Sequence, residues 1–318
     1  MSNPPIIFMF SGQGSQYFQM GQALYDKYPT FRHWMDRMDL RVRELSKHSV
    51  VDVLYHQGQP KAEAFDRTLL SHPAIFMTQY AMAQTLIEAR IRPDLTLGVS
   101  LGTFVAATLA GCLEVEEALT AVVKHASILE SSCERGAMIA VLAEPRLYDD
   151  SDLHRYSSLA AINFDSHFVV AAPAGQVAEI ERILRDRRAT FQRLPVSFAF
   201  HSPWIDAAEA PFKACLRSIK AGAAVMPLAC CARSRLLDAL PEDHLWQVTR
   251  EPIRFQRTIQ HLENEGPYQY VDLGPSGTLA TFTKYVLPGA SASRAHAIMT
   301  PYGRDLENLA AVTAKLAS

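Results

Sequence analysis

The chain has 318 residues, of which 48% are hydrophobic and 20% charged, and this balance is typical of a folded globular protein rather than a disordered or fibrous one. The length exceeds the usual size of one domain and predicts a large domain with a smaller one beside it. The formal net charge of −2 argues against nucleic acid as a partner, because nucleic-acid binding usually depends on a strongly basic surface.

The first third of the chain alternates buried strands with helices. Residues 6–10 form a short apolar run that stops at the glycine-rich sequence SGQGSQ of residues 11–16, the pattern of a buried strand that leads into a turn. Helical periodicity is clearest over residues 73–89, and a second buried strand is predicted at residues 95–99. The small and apolar residues at 102–110 then predict a helix packed closely on that strand.

The middle of the chain has a different pattern. Between residues 136 and 200, the short strand-like runs AMIAVL, LAAINF, HFVVAA and TFQRLPV accompany one charged amphipathic helix at residues 176–188. This order predicts a small ferredoxin-like α+β unit. We therefore predict an α/β protein with a large α/β-hydrolase-like domain built on a parallel sheet, residues 1–134 and 202–318, and a small inserted ferredoxin-like domain, residues 135–201.

The cysteines and the N-terminus predict neither a metal site nor a membrane anchor. Five cysteines are an odd number, and they lack paired Cys-x-x-Cys spacing, so we expect reduced thiols and no zinc. The first apolar stretch lacks a positive n-region and is too short for a signal peptide or a membrane span. We expect a cytoplasmic protein with no membrane partner.

Residues 98–102, GVSLG, match the nucleophile-elbow pattern G-x-S-x-G, in which a sharp turn between a strand and a helix lifts a serine hydroxyl clear of the backbone. The small residues let the strand and the helix approach each other, and the helix N-terminus directs backbone donors towards developing negative charge. Ser100 is therefore a candidate nucleophile. The alternative is a structural serine that caps a helix.

A serine nucleophile needs an imidazole within hydrogen-bond reach. Among the eleven histidines, His201 is distinguished because it follows an apolar segment, residues 196–200, and precedes Ser202-Pro203. This places an imidazole at the end of a buried segment, where the chain must turn. Six other histidines lie in polar surroundings and are expected at the surface: His33, His48, His56, His154, His244 and His261.

Four motifs in sequence order, FSGQGSQ, GVSLG, AFHSPWID and DLGPSGTLA, resemble those of the malonyl-CoA:acyl carrier protein transacylase family. The segment REPIRF resembles a further part of the same family, and the match spans nearly the whole chain. Because we find no ketosynthase or carrier motif, the sequence is most similar to the discrete, trans-acting acyltransferases and acyl hydrolases of polyketide biosynthesis.

The resemblance implies a role for individual residues. It identifies Ser100 as the acylated serine and His201 as the base that activates it. The backbone N–H groups of Gln13 and Leu101 are implied as the oxyanion hole, and a backbone carbonyl, rather than a carboxylate, as the group that orients the histidine. No cofactor or metal is implied, since the substrate itself carries phosphopantetheine.

Departures from the family pattern concern the substrate. The family usually has histidine where this chain has Val99, and members that take malonyl have arginine at the position of His125 and histidine at that of Phe198. Histidine cannot pair bidentately with a carboxylate as a guanidinium does, and a poorly paired buried carboxylate costs on the order of 2 kcal/mol or more. The changes at His125 and Phe198 both favour uncharged acyl groups. Substrate binding is assigned to Val99, His125, Asn163, Phe198 and Phe200.

We therefore predict a serine acyl-enzyme that acts on acyl carrier protein thioesters, and first a proofreading acyl hydrolase that releases short uncharged acyl groups. One alternative is a trans-acting acyltransferase that loads malonyl or another acyl unit from coenzyme A onto a carrier protein. Another is an inactive partner that docks carrier proteins, since a fold does not dictate a function. An α/β-hydrolase that shares only the elbow is ranked below these. We expect a monomer.

Overall fold

The computed structural model describes residues 4–317, and within them the chain forms two separate β-sheets with helices packed around them. The strands are β1 (Ile6–Phe10), β2 (Leu95–Gly98), β3 (Gly136–Leu142), β4 (Ser158–Phe164), β5 (His167–Pro173), β6 (Thr190–Arg193), β7 (Ala223–Cys230), β8 (Arg235–Ala239), β9 (Gln269–Asp272) and β10 (Arg294–Ala297). The helices are α1 (Gln22–Lys27), α2 (Pro29–Ser46), α3 (Thr68–Glu88), α4 (Gly102–Leu109), α5 (Val115–Ser132), α6 (Arg146–Asp149), α7 (Leu153–Tyr156), α8 (Val177–Asp186), α9 (Glu209–Leu216), α10 (His244–Arg250), α11 (Phe255–Glu263), α12 (Thr278–Val286) and α13 (Asp305–Leu316).

The larger sheet has the strand order β10-β9-β1-β2-β7-β8, and every neighbouring pair is parallel except β7 with β8. Its central strands are almost wholly apolar because helices cover both faces, which is the usual environment of parallel strands. β1 and β2 are in register from Ile7 opposite Leu95 to Phe10 opposite Gly98. The turns that follow these two strands therefore begin side by side.

The smaller sheet is antiparallel, with the order β4-β5-β3-β6, and α8 packs on one face through its apolar side. Two four-residue helices, α6 and α7, connect β3 to β4. The backbone of Ile253 joins the two sheets, because its N–H donates to the carbonyl of Ala160 at 2.8 Å and its carbonyl accepts from the N–H of Ile162 at 3.0 Å. The small sheet is thereby held against the segment that follows α10.

Two sequence-based expectations differ from the structure. Helix α3 begins at Thr68 rather than at Pro73, so the proline lies inside the helix. The predicted start was too late because proline is favoured in the first turn of a helix. The helix extends towards the N-terminus beyond Pro73 because Ser71 and His72 are buried by packing. His244, expected at the surface, is fully buried on α10.

None of the helices in the described chain combines the length and the apolar character that crossing a bilayer would need.

Candidate active site

The glycine-rich turn after β1 lies directly against the elbow after β2. A Cβ atom at Gly102 would lie 2.0 Å from the carbonyl oxygen of Phe10, and one at Gly12 would lie 2.8 Å from the Cβ of Ser100. The N–H of Val99 donates to the carbonyl of Phe10 at 2.9 Å. Only glycine allows this approach, and it places the backbone of the first turn beside the serine.

Ser100 has a φ of 54°, in the left-handed region that non-glycine residues seldom adopt. This is the geometry of an elbow, in which the turn between β2 and α4 projects the hydroxyl away from the sheet. The serine is 9% exposed, so its hydroxyl lies inside a cleft.

The hydroxyl oxygen of Ser100 and Nε2 of His201 are 2.9 Å apart, although 101 positions separate the two residues in the chain. Nδ1 of His201 lies 2.8 Å from the carbonyl oxygen of Glu251, and the backbone N–H of His201 donates to the carbonyl of Thr249 at 3.0 Å. A carbonyl can only accept, so Nδ1 carries the proton and Nε2 is free to accept the serine proton. The ring is thus oriented without a carboxylate.

The pKa of His201 is lowered to about 4, chiefly by burial; the hydrogen bond to Glu251 opposes this shift, and the nearby positive charge of Arg250 adds to it. Arg250 is itself paired with Asp206. His201 is therefore neutral at pH 7, the protonation state that a general base requires.

Two backbone N–H groups in the turns around the serine are unpaired. Within residues 4–317, neither the N–H of Gln13 nor that of Leu101 donates to a protein acceptor. The side chain of Gln13 is turned away, since its Nε2 donates to the hydroxyl of Ser71 at 2.8 Å. Unpaired N–H groups beside a nucleophile can stabilise the oxyanion of an acyl-transfer intermediate.

Gln79, on α3, holds the turn that carries these donors. Its Oε1 accepts from the N–H of Ser11 at 2.6 Å, and its Nε2 donates to the carbonyl of Ser11 at 3.1 Å. Both residues are buried. The Gln79 amide thus supplies the two hydrogen bonds that a neighbouring strand would give to Ser11 if β1 continued. Sequence reasoning missed this contact because nothing in the sequence pairs Gln79 with Ser11.

A cavity of about 170 Å³ opens beside the Ser100–His201 pair, between the two sheets. Among the described residues that line it, none is Asp, Glu, Lys or Arg. Its side walls are mainly apolar and come from the small sheet, from the segment after α10 and from α12: Met138, Ala140, Ala161, Val169, Leu194, Ile253, Leu279 and Phe282. Its chemistry suits an uncharged group on the serine.

Three of the five predicted substrate-binding residues, Val99, Asn163 and Phe200, line this cavity. The amide nitrogen of Asn163 lies 3.0 Å from Nδ1 of His167, a cavity-lining residue that sequence reasoning missed. The sequence signal available for this pair was the separation of four residues between Asn163 and His167 at the tip of the β4–β5 hairpin. That separation does not belong to a motif.

His125 and Phe198 do not lie on the cavity wall. His125 is on the buried face of α5, with its ring centroid 4.5 Å from that of Phe212 on α9, so the helical period directs it into the core. Phe198 packs behind Phe200, with their ring centroids 6.2 Å apart. The guanidinium carbon of Arg135 lies 5.5 Å from the ring centroid of Phe198. The structure thus places neither of these two predicted substrate-binding side chains on the wall of this cavity.

Among the described residues, no group of three or more His, Cys, Asp or Glu side chains is placed to hold a metal ion. The arrangement offers a serine, a neutral imidazole, two backbone donors and an apolar cavity. Such a set can form an acyl-serine ester and resolve it with a second nucleophile.

Comparison with known proteins identifies the family of this chain. The family described as "Acyl transferase domain" matches residues 7–317. The polyketide biosynthesis acyltransferase homolog BaeD of Bacillus velezensis is 41% identical over 308 residues, 96% of this chain and 95% of that protein. PksD of Bacillus subtilis, with the same description, is 40% identical over 308 residues, 96% of this chain and 95% of its own.

Among solved structures, the acyl transferase domain of SpnD, in complex with 2-(pent-4-yn-1-yl)malonyl, superposes with a TM-score of 0.88 at 28% identity and covers 100% of this chain and 77% of that one. A mixed α/β fold with a parallel sheet and a separate antiparallel sheet is common to both. The chain therefore belongs to the acyl transferase domain family of enzymes.

Proposed function

We propose that this protein is a serine acyl-enzyme of polyketide biosynthesis that acts on acyl carrier protein thioesters, and that it is a hydrolase releasing short uncharged acyl groups. The names of the relatives BaeD and PksD support the biosynthetic setting. The 2.9 Å contact between Ser100 and His201 supports the acyl-enzyme.

The choice of an uncharged acyl group depends on the cavity beside Ser100. A malonyl carboxylate there would find no Lys or Arg among the described lining residues. His125 cannot substitute for one, because it lies off the cavity wall and burial lowers its pKa to about 3, so it is neutral at pH 7. An unpaired carboxylate in such a site costs on the order of 2 kcal/mol or more, whereas an acetyl group costs nothing comparable.

In the proposed reaction, His201 takes the proton of Ser100 as the hydroxyl attacks the thioester carbonyl. The N–H groups of Gln13 and Leu101 stabilise the oxyanion, and His201 returns the proton to the departing thiol. Water, activated by the same imidazole, then attacks the ester and releases the free acid and Ser100. Each half of the cycle uses the same two donors.

The test is incubation with acetyl-carrier protein and malonyl-carrier protein, followed by intact-protein mass spectrometry. Wild-type protein should deacylate the acetyl form at least about 30-fold faster, as a 2 kcal/mol difference implies. Ser100→Ala should remove all turnover while leaving the fold intact. Equal rates on the two carriers would refute the uncharged-acyl assignment, and full turnover by Ser100→Ala would refute the acyl-enzyme.

A transferase is the second candidate, because both relatives are described as acyltransferase homologs. Adding an unloaded carrier protein separates the two: rapid appearance of acylated acceptor without free acid would replace hydrolysis by transfer. A third candidate, an inactive carrier-docking partner, predicts that an active-site serine probe leaves Ser100 unlabelled. The close Ser100–His201 contact argues against this candidate.

We infer two finer assignments of the fold from the strand order. The order β4-β5-β3-β6, with α8 between β5 and β6, supports a ferredoxin-like small unit over residues 135–201. The elbow after β2 supports a hydrolase-like larger unit, residues 1–134 and 202–318. A cytoplasmic monomer that needs no metal or cofactor completes the proposal; a sedimentation measurement tests the monomer.

A further inference from the structure

Asp272, the last residue of β9, is a buried carboxylate close to the active site. It is 0% exposed, and its two oxygens accept from different parts of the chain. Oδ1 accepts from the N–H of Gly274 at 2.8 Å, and Oδ2 accepts from the N–H of Ala280, in the first turn of α12, at 2.9 Å. The carboxylate thus links the turn after β9 to the start of α12.

The partners of this carboxylate are backbone groups rather than a cationic side chain. Burial raises the pKa of Asp272 to about 6, and the backbone N–H groups around it oppose that rise, so the side chain is ionised at pH 7.5. Burying a charge without an opposite charge is costly, and a serine or asparagine could cap a helix without that cost. Only a carboxylate offers two oxygens that both accept and do not donate. The second acceptor is therefore the property that Asp272 supplies.

One end of this link lies at the turn after β1. A Cβ atom at Gly274 would lie 2.3 Å from the hydroxyl oxygen of Ser11, so the turn after β9 is directly against the turn after β1. Ser11 lines the cavity and is itself fixed by the amide of Gln79, which bonds to its N–H and to its carbonyl. This end is therefore held in place independently of Asp272.

The other end of the link lies at the cavity wall, to which α12 contributes Leu279 and Phe282. Phe282 is held by aromatic packing on the small sheet, with its ring centroid 4.9 Å from that of His167. Leu279 directly precedes Ala280 in the first turn of the helix, where backbone N–H groups have no acceptor within the helix. The position of Leu279 therefore depends on the hydrogen bonds to Asp272.

We propose that Asp272 is a positioning residue that holds Leu279 at a fixed distance from the turn after β1 and so limits the length of the acyl chain that Ser100 accepts. Without the second acceptor, the first turn of α12 moves outward and the cavity lengthens. This proposal rests on the proposed function, since the chain it limits is the one esterified to Ser100. It deepens that function by naming the residue that restricts the site to short acyl groups.

Asp272→Asn tests the link with almost no change of side-chain shape. Whichever way the new amide is oriented, its NH2 group faces one of the two backbone N–H groups, so one end of the link is unpaired. The variant and the wild type are compared at pH 7.5 with N-acetylcysteamine thioesters of acetate, butyrate and hexanoate. Acylation of Ser100 is followed by intact-protein mass spectrometry.

The ratio of kcat/KM for hexanoyl to kcat/KM for acetyl should rise about tenfold in Asp272→Asn, as the burial of about two further methylene groups implies. The rise should come from a lower KM for hexanoyl rather than a higher kcat, because the added contact is made in the bound substrate and in the transition state alike. A general loss of structure would not improve binding of the longer chain.

Asp305→Asn is the matched control. Asp305 is also buried, is the first residue of α13 and accepts from the N–H of Thr300 at 3.4 Å, but no described residue of α13 lines the cavity. Its hexanoyl-to-acetyl ratio should equal that of the wild type. Leu279→Ala shortens the wall residue itself and should raise the ratio about as much as Asp272→Asn does. Adding Asp272→Asn to Leu279→Ala should raise it by less than about twofold more, because both changes act through one side chain.

Three results would overturn the proposal. They are a wild-type ratio in folded Asp272→Asn, an equal rise in Asp305→Asn, and fully multiplicative effects in the double variant. If Asp272→Asn does not fold, hydrogen exchange in the wild type, measured by NMR, decides. An Ala280 amide that exchanges as slowly as the amides in the middle of α12 supports the link, and rapid exchange overturns it.

The acetyl thioester separates this proposal from the proposed function. If Ser100 takes up no acyl group, acetyl included, the acyl-enzyme fails and the positioning role of Asp272 falls with it. If Ser100 is acetylated but the ratio does not move in Asp272→Asn, the positioning role alone is overturned.

Discussion

The low pKa of His201 predicts an unusual pH dependence of acylation. The base is buried beside Arg250, and these surroundings lower its pKa to about 4. An imidazole with a lowered pKa stays neutral as the pH falls, until the pH approaches that value. Acylation of Ser100 should therefore persist in mild acid, where an ordinary histidine would already be protonated.

The size of the effect follows from the two pKa values. At pH 5.5, a base with a pKa of about 4 is about 97% neutral, whereas one with the ordinary value of about 6.5 is about 9% neutral. The structure thus predicts that kcat/KM at pH 5.5 stays within about 10% of its value at pH 7.5. An unperturbed base would lose about tenfold.

Single-turnover acylation with acetyl-N-acetylcysteamine between pH 5 and pH 8, followed by intact-protein mass spectrometry, measures this dependence. Tryptophan fluorescence at each pH confirms that the protein is still folded. Arg250→Gln is the informative variant, because removing the positive charge should move the midpoint upwards. A wild-type midpoint near 6.5 in folded protein would refute the assigned environment of His201.

Three further predictions follow. Gly12→Ala should lower kcat about 100-fold, because its Cβ would displace the turn that carries the oxyanion donors; Gly175→Ala, where the Cβ meets nothing within 4 Å, should have no effect. Gln79→Leu should lower the free energy of unfolding, measured in urea, by about 2 kcal/mol because it leaves the backbone of Ser11 unpaired. It should also lower kcat. Wild-type values of both quantities would contradict the positioning role of Gln79. His125 has a lowered pKa in the folded state, so its contribution to stability is lost as the pH falls below about 6.5. His125→Leu should therefore reduce the loss in free energy of unfolding between pH 7.5 and pH 5.5 by about 1 kcal/mol. An unchanged loss would contradict the burial of His125 as a neutral ring.

Local pattern was a good guide wherever a segment is buried on all sides. The apolar run at residues 6–10 became β1 with the predicted bounds, and the elbow followed β2 as the glycines implied. Pattern was a weaker guide to helix ends, as the start of α3 at Thr68 shows. A proline signals a possible first turn, but burial of the preceding residues decides whether the helix extends beyond it.

The residues predicted around Ser100 were also only partly placed correctly by sequence pattern. Val99, Asn163 and Phe200 lie on the cavity wall, whereas His125 and Phe198, predicted on the same grounds, lie behind it. Position in a motif says which element carries a side chain. It does not say which neighbouring side chain stands between that residue and the substrate.

By itself, the sequence determined which backbone can form a sharp turn, because the glycines at 98 and 102 and the serine between them act through local sterics. Only the tertiary structure decided that His201 meets that serine, that the carbonyl of Glu251 sets its tautomer, and that the ring of His125 packs against Phe212 instead of lining the cavity. Those contacts join segments far apart in the chain. Their geometry depends on how the two sheets and their helices pack, which no local pattern records.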